Sequence, residues 1–206
     1  KPDMLSDSPE FNAFFSDSFE LETTRVKIRP MTAYDFEAFL ALTKSRDTWK
    51  YYYKDLSDET ELKAWVDLAI SEMKAGKRMP FTIIDLDTKK VCGSSSFGNI
   101  SFYDKRIEIG WSWLGPEYIG MGVNKHVKFA LLSFAFEVMK MERVEAKTDV
   151  LSERAKAGLL KVGMIPEGVL RSHTLMHGGR RRDTIYFSLL RSEWPERRAA
   201  FFSEMI

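Results

Sequence analysis

The sequence predicts a mixed α/β chain whose strands are partly joined by hairpins and partly separated by helices. Stretches of period two at 21–29, 81–86, 91–97, 106–114, 143–148, 167–176 and 183–190 are interspersed with stretches of period 3.6. Two turn-forming segments, Asp87-Thr88 and His177-Gly178-Gly179-Arg180, each join two of the period-two stretches. Helices do not separate the strands regularly, which excludes a doubly wound parallel fold.

Residues 1–18 are rich in Ser, Asp, Pro and Phe and read as an arm, either disordered or docked through Phe11, Phe14 and Phe15. Val26 and Ile28 mark a strand with one wet face, ended by Pro30. Thr32 stands at an N-cap position before a stripe of Phe36, Phe39, Leu40 and Leu42. Ser57 or Asp58 caps the next helix, which carries Leu62, Trp65, Val66, Leu68, Ala69, Ile70 and Met73 and closes at Gly76. The stretches at 81–86 and 91–97 form a hairpin. In 106–114, Ile107, Ile109, Trp111 and Trp113 alternate with Glu108, Gly110 and Ser112, until Gly115-Pro116 breaks the strand. A glycine-punctuated loop then opens a long helix with Val127, Ala130, Leu131, Phe134, Ala135 and Val138 inside. After the strand at 143–148, Asp149 or Ser152 caps a short helix that ends at Gly163. The last strand pair precedes a terminal helix at 192–205.

Composition bounds the function. The 206 residues are 44% apolar and 30% charged, an ordinary globular balance. With 31 Lys plus Arg against 30 Asp plus Glu, the net charge of +1 gives no global footprint for nucleic acid or a membrane surface. One cysteine, Cys92, excludes an intrachain disulfide, and His126, His173 and His177 lack the paired helical spacing of a zinc protease. No metal is expected. No apolar run approaches the ~20 residues a membrane span needs, and the start of the chain carries no signal-peptide apolar region. A reducing, cytoplasmic setting is expected.

The most informative segment is the loop Tyr118-Ile119-Gly120-Met121-Gly122-Val123-Asn124. A helix N-terminus presents unsatisfied N–H groups and a partial positive charge, and glycines let the backbone approach an anion closely. A pyrophosphate suits such a loop. The loop lacks a P-loop Lys-Ser/Thr, and Lys125 stands where a third dinucleotide-fold glycine would be.

In this order, the segments resemble the GNAT superfamily of acyl-CoA-dependent N-acetyltransferases, in the branch of the RimJ/RimL ribosomal-protein N-terminal acetyltransferases. The resemblance covers about residues 19–191. It rests on Arg25-Val26-Lys27-Ile28-Arg29-Pro30 with Asp35, Glu108-Ile109-Gly110-Trp111, Gly120-Met121-Gly122-Val123-Asn124 and Arg143-Val144-Glu145…Thr148-Asp149. It also includes Gly163-Met164…Glu167-Gly168-Val169-Leu170-Arg171 and Asp183-Thr184-Ile185-Tyr186. It implies an α+β fold with a mixed, splayed sheet of about six to seven strands flanked by helices and acyl-CoA in the split. The domain would span 19–191, between an arm at 1–18 and a helical tail at 192–206. The resemblance carries Ile119, Gly120, Met121, Gly122, Val123 and Asn124 over as the pyrophosphate loop, and Trp113 and Leu114 as the main chain beside pantetheine. Glu117 stands where the family pattern has Gln or Arg, and Ser152 where the family often has Asn facing the cofactor.

Acetyl transfer from a thioester to an amine requires a neutral amine, a stabilised oxyanion and a tolerated thiolate. Neutralising a lysine amine at pH 7 costs about 4–5 kcal/mol, an α-amine about 1. Glu108 is the candidate base, and Tyr186 and Ser152 the candidate proton donors to the thiolate. Tyr51 and Tyr53 are candidates for lining the acceptor pocket. Each residue has a structural alternative: an ion pair for Glu108, capping for Ser152 and aromatic core for the tyrosines. Cys92 reads as a small buried residue, Lys125 as solvated or phosphate-binding, and Arg180-Arg181-Arg182 as a solvated face. The function expected is an acetyl-CoA-dependent N-acetyltransferase acting on a protein N-terminus or small amine, as a monomer or homodimer, with Phe201-Phe202 available to bury against a second copy. The alternatives are a non-catalytic acyl-CoA-binding module and an RNA-binding protein using the Arg180–Arg182 loop with Tyr51–Tyr53 stacking.

Overall fold

The computed structural model describes residues 9–16 and 18–205. Its elements run α1 (Pro9–Phe14), β1 (Leu21–Glu22), β2 (Val26–Pro30), α2 (Phe36–Leu42), α3 (Glu59–Lys74), β3 (Arg78–Asp85), β4 (Lys90–Ser101), β5 (Arg106–Leu114), α4 (Val123–Ser133), β6 (Arg143–Asp149), α5 (Glu153–Leu160), β7 (Ile165–Leu175), β8 (Arg181–Leu190) and α6 (Trp194–Phe201). The strands form one sheet in the order β1-β2-β3-β4-β5-β6-β8-β7, antiparallel except for the β5–β6 pair. Among the described residues, eight strands exceed the six to seven expected because 21–29 is a hairpin, not one strand. Thr23 Oγ1 accepts from the N–H groups of Arg25 and Val26 and turns the chain between β1 and β2.

Directly paired residues share a sheet face, so the register assigns each side chain to a layer. Ile109 pairs with Phe97, whose ring lies 6.1 Å from Phe15 and 6.3 Å from Phe134. This face is covered by α4 and by the arm, which from Pro9 onward docks through Phe14 and Phe15 as one expectation had it. Residues 1–8 and 17 of that arm lie outside the described residues. Trp113 pairs with Ser94 on the other face, where its ring meets Phe39 of α2 at 5.1 Å, Trp49 at 5.6 Å and Trp65 of α3 at 6.2 Å.

Ile109 and Trp113 should share a face under strict alternation. They do not, because β5 carries a bulge. Ser94 pairs with Trp113 and Ser96 with Gly110, so Trp111 and Ser112 together oppose Ser95. Trp111 takes φ 53°, a left-handed value unusual for a bulky residue. The extra residue reverses the alternation beyond Gly110. Trp111 and Trp113 join Glu108, while Ser112 turns to the α4 face and bonds Ser95 Oγ at 2.8 Å.

Capping follows the sequence at Asp58, whose side chain accepts from Glu61 N–H at 3.0 Å, and at Gly76, with φ 65°. The Ser152 side chain makes no cap bond, whereas Asp149 accepts from Leu151 N–H. The long helix widens to a π turn at Phe134–Val138, with Met139 N–H donating to Phe134 C=O, and Val138 is turned outward instead of inward. The terminal helix is shorter than expected. Phe202 is fully buried within its own chain, 5.3 Å from Phe129 and 5.8 Å from Trp194, so it is not available to a second subunit.

Lys128 of α4 is buried against the bulge, with Ser112 Oγ at 3.3 Å. Burial pushes its pKa down to about 8. At pH 7 the native state therefore carries a desolvated charge, and Lys128→Met, similar in volume, should stabilise the fold by about 2–3 kcal/mol. Between pH 8 and about 10.5 the native lysine loses its proton while the unfolded one keeps it. Wild-type stability then rises relative to the variant, and the gap in urea melts should close across that window.

Candidate active site

The sheet splits between β5 and β6. Arg106, Ile107 and Glu108 pair with Arg143, Val144 and Glu145, and there the ladder ends. Beyond it β5 follows β4 and β6 follows β8, so the edges at 109–114 and 146–149 diverge. The bulge at Trp111 supplies a cause, since a bulge bends its strand and increases its twist. The main chain of Trp113 and Leu114 runs along the open edge of β5.

The glycine loop stands at the open end of β5. Gly115 N–H donates to Cys92 C=O at 2.8 Å, and Pro116–Tyr118 makes a single tight turn. Gly120 and Gly122 have φ of 80° and 81°, and a Cβ on either would meet nothing within 4 Å. Their glycines therefore answer to backbone conformation and an open face. Among the described residues, the N–H groups of Gly120, Gly122, Val123 and Asn124 find no backbone acceptor, and the first turn of α4 holds no acidic residue. The loop is a cradle for an anion, and the residues present fit a diphosphate. Ile119 was expected among the donors, and Met121 in the cofactor-binding loop. Their N–H groups instead point back to Pro116 and Tyr118 carbonyls, at 3.3 and 3.4 Å, because the turn closes on itself there. Lys125 ion-pairs with Glu204 and is not a free phosphate ligand. Glu117 is exposed. Asn124 Nδ2 lies 3.7 Å from the place of a Cβ on Gly158, which sets the first turn of α4 beside α5.

Glu108 sits at the apex of the split and is 3% exposed. Asn99 Nδ2 donates to its Oε2 at 2.6 Å and Lys147 Nζ at 3.0 Å. A second register irregularity, with Asn99 at φ 47°, accompanies the Asn99 contact. Oε1 has no hydrogen-bond partner among the described residues, and a Cβ on Gly110 would come within 2.9 Å of it. Tyr186 belongs to the same face through its pairing with Lys147, whose Nζ lies 5.7 Å from the Tyr186 ring centroid. Ser152 is buried at the start of α5, after the free end of β6. Tyr53 packs against Tyr52 with ring centroids 4.9 Å apart and the planes tilted by 40°. Burial pushes both hydroxyls up in pKa, against the pull of the nearby Arg78. Tyr51 stands apart under Lys50. His177 Nε2 is 2.8 Å from Trp49 C=O, tying the aromatic segment to the β7–β8 turn.

Two other expectations meet the structure differently. Burial pushes the Cys92 thiol up to about 12, which fits an inert core residue. The arginine run is a solvated face only in part, since Arg181 is exposed and Arg180 half-exposed. Arg180 pairs with buried Asp149, Arg182 is itself buried with Nε on Thr184, and Arg181 holds Ser172. These contacts hold Arg180 and Arg182 against the protein, and among the described residues only Arg180 of the three meets a carboxylate. The site residues missed by sequence reasoning are Asn99 and Lys147. Lys147 does fall on the polar face of an alternating strand, but its meeting with Glu108 depends on parallel pairing between distant segments.

Known proteins resemble this chain in sequence or in fold. A candidate ribosomal N-acetyltransferase of Bacillus subtilis, YdaF, is 31% identical over 104 residues, covering 50% of this chain and 56% of that protein. An uncharacterised N-acetyltransferase from the same organism, YoaA, is 27% identical over 83% of this chain and 96% of its own length. A GCN5-related N-acetyltransferase structure from Brucella melitensis shares the fold, with a TM-score of 0.83 at 24% identity, covering 93% of this chain and 87% of that one. Mycobacterium smegmatis RimJ, solved in complex with CoA-disulfide, does so with 0.72 at 21%, covering 88% and 92%. Residues 25–165 match the acetyltransferase (GNAT) domain, and with the split sheet and glycine cradle in place, the chain belongs to the GNAT acetyltransferase family.

Proposed function

We propose that the chain moves an acetyl group from acetyl-CoA to a primary amine by direct attack while both substrates are bound, with Glu108 Oε1 receiving the amine proton. The observation that carries this reading is the state of Glu108: a buried carboxylate at the apex of the split, with one oxygen held by Asn99 and Lys147 and the other without a partner. Such a group is anchored yet able to accept a proton. Acetyl-CoA, when bound, supplies the activated acyl carbonyl. The N–H groups of Gly120, Gly122, Val123 and Asn124 would hold its diphosphate, and the edge at Trp113 and Leu114 its pantetheine. Tyr186 Oη and Ser152 Oγ are assigned the return of a proton to sulfur, and Tyr53 a wall of the acceptor pocket. An α-amine is the favoured acceptor class, because its deprotonation costs about 1 kcal/mol at neutral pH. The ribosomal name of one relative puts protein N-termini first in the panel.

The test follows free thiol when the protein meets acetyl-CoA and a panel of N-terminal peptides, polyamines and amino sugars. Thiol release with an α-amine acceptor is expected. CoA binding with background thiol release throughout the panel would reject the transferase and favour a binding module.

A further inference from the structure

A cavity of about 350 Å³ opens beside Glu108, lined by Glu72, Lys77, Arg78, Asn99, Ile100 and Trp111. Asn99 is shared with the Glu108 site. Arg78 is 2% exposed, a rare condition for an arginine. Its guanidinium lies 4.9 Å from the Trp111 ring centroid and 5.9 Å from that of Trp65. Glu72 Oε2 forms an ion pair with Nε at 3.0 Å, with the N–H poorly aligned on it, and buried Nη2 has no hydrogen-bond partner among the described residues. Buried Trp65 Nε1 also lacks a well-aligned acceptor, although the Tyr52 and Tyr53 hydroxyls stand within its reach and the Tyr53 hydroxyl within reach of Arg78. Trp Nε1–H and the guanidinium are donors only, so a further acceptor placed in the cavity would complete the bonding of Arg78 Nη2. The charges of the cavity are two cations, Lys77 and Arg78, against one carboxylate.

Register puts this donor next to the proposed chemistry. Arg78 pairs with Gly98, and Gly98 with Glu108, so the three stand in a row on one face. Across two strand spacings, Arg78 and Glu108 are roughly 10 Å apart at Cα. The middle position is a glycine, and the Trp111 ring lies over it, where a Cβ would come within 2.4 Å. The strained φ of Trp111 belongs to the bulge that turns this ring to the Arg78 side.

We infer that Arg78 forms an anion subsite in the acceptor pocket, and that the preferred acceptor amine carries a carboxylate near its amino group. The inference deepens, and for its turnover half rests on, the transferase reading. A carboxylate would accept from Nη2 while Glu108 faces the amine. A polyamine would bring only cations toward Lys77 and Arg78.

Peptides beginning Glu-Ala-Ala and Gln-Ala-Ala, both C-terminally amidated, have α-amines that ionise alike and differ in one charge. The Glu peptide should show at least a tenfold higher kcat/KM. Arg78→Gln should bring that ratio close to one, and Glu72→Gln, which removes the competing carboxylate at a half-exposed position, should raise it. Calorimetry with CoA present, using the N-acetylated forms of both peptides, should give the same tenfold preference without turnover. Turnover of both peptides at equal kcat/KM, with equal affinity for their acetylated forms, overturns the subsite and leaves the transferase standing. A preference in calorimetry without thiol release keeps the subsite and overturns the transferase. If Arg78→Gln does not fold, an unchanged ratio in Glu72→Gln counts against the subsite.

Discussion

Glu108→Gln should lower kcat by about 10²- to 10⁴-fold, the usual contribution of a positioned general base, while CoA affinity stays within twofold. The substitution keeps shape and volume at a buried position. Lys147 can only donate, so the glutamine carbonyl oxygen turns to Lys147 and Asn99, where Oε2 now stands. The amide nitrogen then takes the place of Oε1 and presents a donor where the amine needs an acceptor. The glycine cradle lies at the other end of β5 and is untouched. Thiol-release kinetics measure the first quantity and calorimetry the second. A variant within threefold of wild type would remove Glu108 from the chemistry and leave the family membership as it is.

Asp35→Ala should destabilise the fold by about 3 kcal/mol, a large share of the roughly 5–15 that holds a domain together. Asp35 joins three elements. Arg29 of β2 donates to it twice, at 2.9 and 2.6 Å, Thr32 N–H at 2.8 Å before α2, and Thr82 Oγ1 of β3 at 2.7 Å. Deleting the carboxylate leaves buried Thr82 Oγ1 and the Thr32 amide without that acceptor, and Arg29 without its counter-charge. For a chain of this length the melting temperature should fall by roughly 6–12 °C. Burial alone would push the Asp35 pKa up. The Arg29 bonds, with Thr32 and Thr82, outweigh it and hold the pKa below the ordinary carboxylate value. The stabilisation is therefore complete above the unfolded pKa near 4 and is lost as pH falls through the lower native value. Asp35→Asn should show a flatter acid limb in urea melts at pH 2–5, and an acid limb as steep as wild type would contradict the assignment.

The elements most legible in the sequence are those governed by local chemistry. Asp58 before an amphipathic stripe, Gly76 after it, and Gly120 and Gly122 ahead of α4 each adopt the conformation their residue type favours. Glu108 was legible as a polar side chain alternating with Ile107 and Ile109. The same alternation misplaces Trp111 and Trp113, because a bulge depends on how two strands meet and leaves no period of its own. Single period-two runs also hide turns, as the β1–β2 hairpin does. The arginine triplet reads as wholly solvated until Asp149 and Thr184, on other parts of the chain, are brought against it.

By itself the sequence determined the strand and helix types, the caps at Asp58 and Gly76 and the anion-binding loop, which follow from neighbours within a few residues, and the family likeness, which follows from the order of such segments along the chain. Only tertiary structure decided where β5 and β6 part, that Lys147 and Asn99 grip one oxygen of Glu108, and that Arg78 is buried with a donor to spare. Those outcomes depend on register between segments tens of residues apart. Register is set by the packing of whole faces, and a single inserted residue such as Trp111 reverses which face a side chain joins.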